Sequence, residues 1–195
     1  MNSERNELPR HLRHPLAVVM LASAVPYLGL LGLLAAGHSS AADMNRPAAA
    51  VLTAFVVAGG LVPLVVVGLA FFRAIRDTSR FQPSLLIELY AGFIVGFASS
   101  YALVQCTSAD LAFSGAPVLW TDDAGASFSV HADRLHSVFG CMLYLSIMTM
   151  TTVGYGDIAP VSASARILTS AQALCGVSFV SISVGHYFAV CSRRR

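Results

Sequence analysis

The sequence predicts an all-α membrane protein in which four transmembrane helices accompany one shorter, re-entrant helix. Hydrophobic residues make up 56% of the chain and charged residues only 11%, and the mean hydropathy is +0.70. Four largely uncharged segments reach the roughly 20 residues that a helix needs to cross the hydrocarbon core of a bilayer. A fifth apolar segment has only about 14 residues, and a helix of that length enters the membrane without crossing it.

The N-terminal part of the chain is predicted to form a helical hairpin behind a polar tail. Residues 1–14 are polar and are placed in the cytoplasm, and residues 15–72 hold two apolar segments separated by a short polar connection. A cleaved signal peptide is the alternative for the first segment, because small residues follow it at 35–37, but its apolar run exceeds a usual signal core. Neither segment carries the ladder of arginines that a voltage sensor requires, so the hairpin is interpreted as a scaffold.

The third transmembrane helix is predicted at 84–106, after a cytoplasmic loop at 73–83. Gly92 and Gly96 form a GxxxG pattern that allows a neighbouring helix to approach closely. Glu88 lies near the inner end of the helix, where a charge is costly unless it is paired or hydrated. We therefore expect a basic partner for Glu88, either one of Arg193, Arg194 and Arg195 or His186.

A polar stretch at 107–136 is predicted to be an extracellular loop. It carries four aspartates: Asp110, Asp122, Asp123 and Asp133. These carboxylates can raise the local concentration of cations, or they can simply form the solvated face of a loop.

The short apolar segment is predicted to form a re-entrant helix at 137–151, with Ser137 as its N-cap. The negative end of its helix dipole then favours a cation beside the residues that follow, 152–157. The last transmembrane helix is predicted at 164–191, and a basic end at 192–195 follows it.

The arginines predict the orientation of the chain. Lysine is absent; nine arginines fall on one side of the predicted membrane and three on the other: Arg5, Arg10, Arg13, Arg73, Arg76, Arg80, Arg193, Arg194 and Arg195 against Arg46, Arg134 and Arg166. Positively charged flanks stay in the cytoplasm, so both termini are placed there and the protein is predicted to be multi-pass. The arginine-only composition is typical of a bacterial chain, which suggests the bacterial inner membrane as its plasma membrane.

Two cysteines, Cys106 and Cys141, are both predicted near the outer side of the membrane. A disulfide between them is one alternative, and its geometry cannot be read from the sequence. The other alternative is that both are small apolar fillers of helices.

The segment at 151–157 reads Thr-Thr-Val-Gly-Tyr-Gly-Asp. Successive carbonyl groups point to the same side only if the backbone alternates between right- and left-handed conformations, and glycine adopts the left-handed one at little cost. Gly154 and Gly156 fit that alternation. A row of carbonyl oxygens can replace the hydration shell of a cation, so this segment is the candidate functional site.

With this motif, residues 84–191 resemble the potassium channel pore family. The resemblance implies that four subunits surround one pore, that Thr152, Val153, Gly154 and Tyr155 coordinate K⁺, and that Gly156 and Asp157 form the outer mouth. It also implies that Thr151 lies behind the base of the filter. Two further positions bear on the filter. Tyr144 matches an aromatic of the pore helix that can reach Asp157, and an ordinary core tyrosine is the alternative. Met148 departs from the glutamate of some bacterial relatives.

On the last helix, the resemblance places the family's glycine hinge at Gly176; close packing is the alternative. Val177, Val180, Val184 and Phe188 recur at helical spacing. They are candidates for the cavity and the gate, where apolar rings can exclude water. A stripe that faces neighbouring helices instead is the competing interpretation.

Together these features predict a potassium-selective channel that conducts K⁺ passively through a tetrameric filter. The predicted partners are three identical subunits, membrane lipid and K⁺ as the transported ion, with no cofactor and no nucleic acid. The alternative is a non-conducting, channel-like subunit or an ion sensor that acts through a partner. An enzyme is not predicted, because the sequence shows no nucleophile–base pair, metal-ligand cluster or phosphate-binding loop.

Overall fold

A computed structural model describes residues 83–108, 111–119 and 128–192, and the helical positions 65, 68, 69 and 72. The predicted tail, almost all of the predicted N-terminal hairpin and cytoplasmic loop, and the three terminal arginines lie outside the described residues. The described chain folds as three helices, α1 to α3, with a two-stranded antiparallel sheet between them.

Helix α1, Pro83–Thr107, starts one residue before and ends one residue after the predicted bounds. Proline suits the first position of a helix because the amide it lacks would have no partner there. At the other end the Thr107 and Ser108 hydroxyls donate to the carbonyl oxygens of Leu103 and Val104, each at 2.7 Å. The Ser108 amide also donates to the Val104 carbonyl oxygen, at 3.0 Å, so both hydroxyls find a partner within α1.

Helix α2, Phe128–Met150, is longer than predicted. The predicted N-cap, Ser137, lies inside the helix with an exposed side chain. The predicted start of the helix at 137 and the predicted end of the extracellular loop at 136 were therefore wrong. A run of apolar residues marks only the part of a helix that lies in the membrane. Leu135 nevertheless belongs to the same buried stripe as Val138 and Met142, at the spacing of one helix face.

Helix α3, Ala163–Ser192, is continuous. It starts at a serine N-cap, because Ser162 Oγ accepts a hydrogen bond from the Ala165 amide at 3.2 Å. Among the described residues α1 and α3 contain the two spans that are long and apolar enough to cross a membrane, Leu86–Thr107 and Ala163–Phe188. Of these spans 61% is buried in α1 but only 17% in α3, so α3 leaves most of its apolar surface uncovered within one chain.

The core lies where α1 meets α2 and α3, and aromatic rings fill it. Phe179 of α3 lies between two rings of α1, with centroids 5.4 Å from Tyr90 and 6.0 Å from Phe93. Nearer the outer end, Tyr101 packs edge-on against Phe113 of the loop at 5.2 Å. Aromatic pairs of this kind stabilise the packing by about 0.5–1.5 kcal/mol beyond the burial of their surface.

The short sheet was not predicted from the sequence. Strand β1, Phe113–Ser114, pairs with strand β2, Ala159–Pro160, so that Phe113 lies opposite Pro160 and Ser114 opposite Ala159. The sheet joins the loop after α1 to the chain just after the segment at 151–157. Outside the three helices and this sheet, residues 108, 111–119 and 151–162 form turns and irregular backbone.

The structure corrects one expectation about single residues, and a second stays a prediction. Cys106 and Cys141 are free thiols, so the disulfide considered above is not formed. Glu88 carries a buried carboxylate oxygen, Oε2, without a hydrogen-bond partner in the described part of the chain. The arginines expected to pair with it lie outside that part.

Candidate functional site

The end of α2 is closed by a Schellman motif that leads directly into the candidate site. The Val153 amide donates to the Met148 carbonyl oxygen at 2.9 Å, and the Thr152 amide donates to the Thr149 carbonyl oxygen at 3.1 Å. In this motif the residue after the cap adopts the left-handed conformation and is usually glycine. Here it is Thr152, with a φ of 60°, and a β-branched residue pays about 1–2 kcal/mol for that conformation.

From Thr152 onward, every second residue is left-handed. The φ angles of Thr152, Gly154 and Gly156 are 60°, 53° and 80°, while Val153 and Tyr155 between them keep negative values. This is the alternation that turns successive carbonyl groups to one side of the strand. The sequence argument assigned the two glycines to it but missed Thr152.

The whole segment at 151–157 is exposed in a single chain. Val153 is 50% and Tyr155 72% exposed, although irregular backbone inside a membrane must be enclosed by protein or line a water-filled cavity. The Thr151 hydroxyl turns back and donates to the Ile147 carbonyl oxygen at 2.7 Å. Thr151 therefore belongs to the closing turn of α2.

The base of the segment is held by both flanking helices at Met150, the last residue of α2. The Tyr90 hydroxyl of α1 donates to the Met150 carbonyl oxygen at 3.2 Å. From the other side, Gly176 of α3 is buried, and a Cβ atom placed on it would lie 2.9 Å from the same oxygen. Gly176 thus allows α3 to approach α2 closely, and α3 passes through it without a break.

The outer end of the segment is held by Tyr144 and Gly115. Hydrogen bonding to Asp157 raises the pKa of Tyr144 above its ordinary value of 10.0, because the neutral phenol is the form that donates. Gly115, with a φ of 79°, lies so close to Asp157 that a Cβ atom would come within 2.0 Å of its carbonyl oxygen. The loop after α1 therefore abuts the end of the segment at Asp157.

Gln105, near the outer end of α1, anchors that loop. Its Oε1 accepts from the Phe113 amide at 2.9 Å, and its Nε2 donates to the Pro117 carbonyl oxygen at 3.1 Å. Farther along, the Val161 amide donates to the Ala112 carbonyl oxygen at 2.8 Å. The sequence reasoning did not single out Gln105; an amide side chain in an otherwise apolar helix was the available signal, since such a group needs partners in a membrane.

A second glutamine, Gln172 of α3, was missed in the same way. It is fully buried, together with Tyr101 of α1 and Ser146 of α2. Its side chain bonds to both of them. These contacts lie behind the candidate site and connect the three helices.

The cavity and gate candidates share one property. All four have exposed side chains on α3: Val177, Val180, Val184 and Phe188. Ile182 and Tyr187 are exposed as well, so the inner half of α3 presents more than one uncovered apolar face. One such face can line a central cavity while another meets lipid.

Comparison with known proteins relates this site to ion channels. Residues 117–193 match the ion channel family. The voltage-gated potassium channel Kch of Escherichia coli is 49% identical over 45 residues, which cover 23% of this chain and 11% of that protein. Protein LctB of Geobacillus stearothermophilus is 32% identical over 100 residues, 51% of this chain and 65% of that protein.

A human potassium channel is also similar to this chain. The potassium voltage-gated channel subfamily KQT member 4 is 30% identical over 101 residues, 52% of this chain and 11% of that protein. The chain thus spans less than two thirds of the length of each of these relatives. No solved structure matches it. Within the described residues no group of histidine, cysteine, aspartate or glutamate side chains is arranged to hold a metal ion.

Proposed function

We propose that the chain is one subunit of a potassium-selective channel that conducts K⁺ passively. The proposal is supported by the match of residues 117–193 to the ion channel family and by relatives of 49% and 30% identity that are named potassium channels. The observation that carries the proposal is the alternation of left-handed residues at Thr152, Gly154 and Gly156. Such a strand presents its carbonyl oxygens as a row. Potassium filters are in general built from rings of such oxygens, which replace the hydration shell of the ion.

The strain at Thr152 supports the same function. Glycine would take this left-handed position at less cost, yet the chain keeps a threonine there. Backbone strain of this kind persists where a site needs it. We assign the need to the threonine hydroxyl, which adds an oxygen ligand at the inner end of the row formed by Thr152, Val153, Gly154 and Tyr155.

The proposed assembly is a homotetramer. One chain supplies one exposed row of carbonyl groups, and a ring around an ion needs several. The uncovered surface of α3, of which only 17% of the span is buried, supplies an apolar surface for neighbouring subunits. Four copies around one axis would enclose the segment at 151–157 and satisfy the requirement that irregular backbone in a membrane is surrounded by protein.

The proposed topology follows the arginine distribution. Both termini lie in the cytoplasm of a bacterial cell, the inner membrane holds four helices per subunit, and the filter opens to the outside. The helical hairpin predicted at 15–72, almost all of which lies outside the described residues, is proposed to lie outside the pore and to face lipid. The function is carried by ion coordination, so no covalent chemistry is proposed.

Ion flux into liposomes tests the proposal. Liposomes that contain the purified chain should take up K⁺ or Rb⁺ in preference to Na⁺. The informative variant is Gly154→Ala, because alanine at a φ of 53° costs about 1–2 kcal/mol in each subunit. We expect this variant to lose flux or selectivity.

The matched control is Gly140→Ala. Both glycines have open space where the new Cβ atom would lie, but Gly140 has an ordinary helical conformation within α2. The control should keep native flux and selectivity. Potassium binding without flux in the native chain would instead favour a non-conducting ion sensor. An unchanged preference for K⁺ over Na⁺ in Gly154→Ala would refute the assignment of the filter.

A further inference from the structure

A buried polar cluster links the three helices behind the proposed filter. It consists of Tyr101 of α1, Ser146 of α2 and Gln172 of α3, and the side chains of all three are 0% exposed. Buried polar groups are costly in an apolar environment unless each is hydrogen-bonded. The cluster therefore persists only if its bonds are complete.

The bonds of the cluster are complete and fix the orientation of the amide. Gln172 Oε1 accepts from the Tyr101 hydroxyl, and Gln172 Nε2 donates to the carbonyl oxygen of Ser146 at 3.1 Å and to its Oγ at 2.7 Å. Ser146 Oγ in turn donates to the Ile94 carbonyl oxygen of α1 at 2.7 Å. A flipped amide would set its oxygen against the Ser146 carbonyl oxygen, so a single arrangement satisfies every group.

This arrangement sets the position of α2 where precision matters for the filter. Ser146 lies one helical turn before Met150, which is about 6 Å along the axis at 1.5 Å per residue. A slip of α2 by one residue would rotate it by about 100° at 3.6 residues per turn and would remove Ser146 from both partners. The cluster thus fixes the height and the rotation of the helix that ends in the filter.

We propose that Gln172 is a positioning residue for the filter, acting through Ser146 to hold the end of α2 in the conformation that binds K⁺. This inference rests on the proposed function. It assigns to a buried amide of the inner helix a role in ion affinity and selectivity, although Gln172 itself touches no ion. Ser146 is the receiving group, and Tyr101 holds the amide in the orientation that reaches it.

The test uses the full chain with two variants and one control. Gln172→Leu removes the amide, and Ser146→Ala removes the serine hydroxyl but leaves its carbonyl oxygen. Ser99→Ala is the matched control, since Ser99 is also buried in α1 but its hydroxyl bonds within the same helix, to the Val95 carbonyl oxygen at 2.9 Å.

Two quantities are measured: the K⁺ concentration that half-protects the assembled protein against thermal dissociation, and the ratio of K⁺ to Na⁺ flux in liposomes. We expect Gln172→Leu to raise the half-protecting concentration by about tenfold, the size of effect expected when a buried hydrogen-bonding group loses its partner. Ser146→Ala should raise it in the same direction, both variants should lower the flux ratio, and Ser99→Ala should change neither quantity. Because Gln172 and Ser146 act as a unit, the free-energy change that corresponds to the rise in half-protecting concentration should be smaller in the double variant than the sum of the changes in the two single variants.

The outcomes separate this inference from the proposed function. If the variants lose thermal stability equally at every K⁺ concentration and keep the native flux ratio, the cluster is only structural and the inference is overturned. If Gln172→Leu does not assemble, Ser146→Ala decides by the same two quantities. A native chain that shows neither protection by K⁺ nor selective flux would overturn the proposed function itself.

Discussion

Replacing Gly176 by alanine separates the two roles considered for this glycine. A Cβ atom at this position would lie 2.9 Å from the Met150 carbonyl oxygen and 3.3 Å from its sulfur atom. Overpacking of this kind typically costs about 1–3 kcal/mol, while alanine gains about 1 kcal/mol in helix propensity over glycine. We expect Gly176→Ala to destabilise each subunit by a net amount of about 0–2 kcal/mol.

The same helix provides the control. Gly185 has no atom within 4 Å of the place where a Cβ atom would lie, so Gly185→Ala should stabilise the helix by about 1 kcal/mol. The two variants should therefore differ by about 1–3 kcal/mol in opposite directions. Thermal unfolding of the purified protein, followed by circular dichroism at a fixed K⁺ concentration, measures this difference.

Displacement of the Met150 carbonyl oxygen by the new methyl group has a functional consequence as well. The oxygen that the new methyl group would push accepts the hydrogen bond from Tyr90 at the base of the proposed filter. K⁺ flux should therefore fall in Gly176→Ala and remain native in Gly185→Ala. A Gly176→Ala variant as stable as Gly185→Ala, with native flux, would refute the packing role; a variant as stable as Gly185→Ala with altered opening would favour the hinge predicted from the sequence.

Two further predictions concern the outer mouth. Gly115→Ala should destabilise the mouth and lower K⁺ selectivity, because its Cβ atom would come within 2.0 Å of the Asp157 carbonyl oxygen; native selectivity in liposome flux would contradict this contact. In Tyr144→Phe, the K⁺ flux should decline faster with time at neutral pH than in the native chain, because the variant lacks the phenol that hydrogen-bonds to Asp157. That bond raises the pKa of Tyr144 above 10.0, so its contribution is present at neutral pH and is lost as the pH rises through the raised pKa. Current recordings across this range should show an alkaline loss in the native chain that is absent in Tyr144→Phe.

The spans of the helices were readable from the sequence because membrane helices are set by long apolar runs. The observed bounds of α1 and α3 differ from the predicted ones by one residue at each end. The start of α2 was not readable in this way. Its first turns project beyond the apolar stretch, and only the spacing of Leu135 with Val138 and Met142 marks them as part of the same face.

The proposed filter segment stood out in the sequence because its backbone conformation depends on glycine. Gly154 and Gly156 could be assigned to left-handed positions from the sequence, whereas Thr152 could not, since a β-branched residue rarely adopts that conformation. The closing motif of α2 imposes it, and that motif is visible only in the hydrogen bonds of Thr152 and Val153.

The contacts around the proposed filter were not predictable, because they join residues far apart in the chain. Gln105 and Gln172 stand out in the sequence as amides within apolar helices, but their partners lie on other elements. The β1–β2 pairing has two residues in each strand, too few for any alternation of polar and apolar side chains to reveal it. Periodicity reports which face of an element is buried, not what covers it.

The most direct test of the central claim is an experimental structure of the assembled protein in the presence of Rb⁺, with the ions located by their anomalous scattering. We predict a row of Rb⁺ sites on a fourfold axis, each surrounded by backbone oxygens from Thr152, Val153, Gly154 and Tyr155 of four subunits. A stably monomeric protein, or carbonyl groups that point away from a shared axis with no ion between them, would contradict the account.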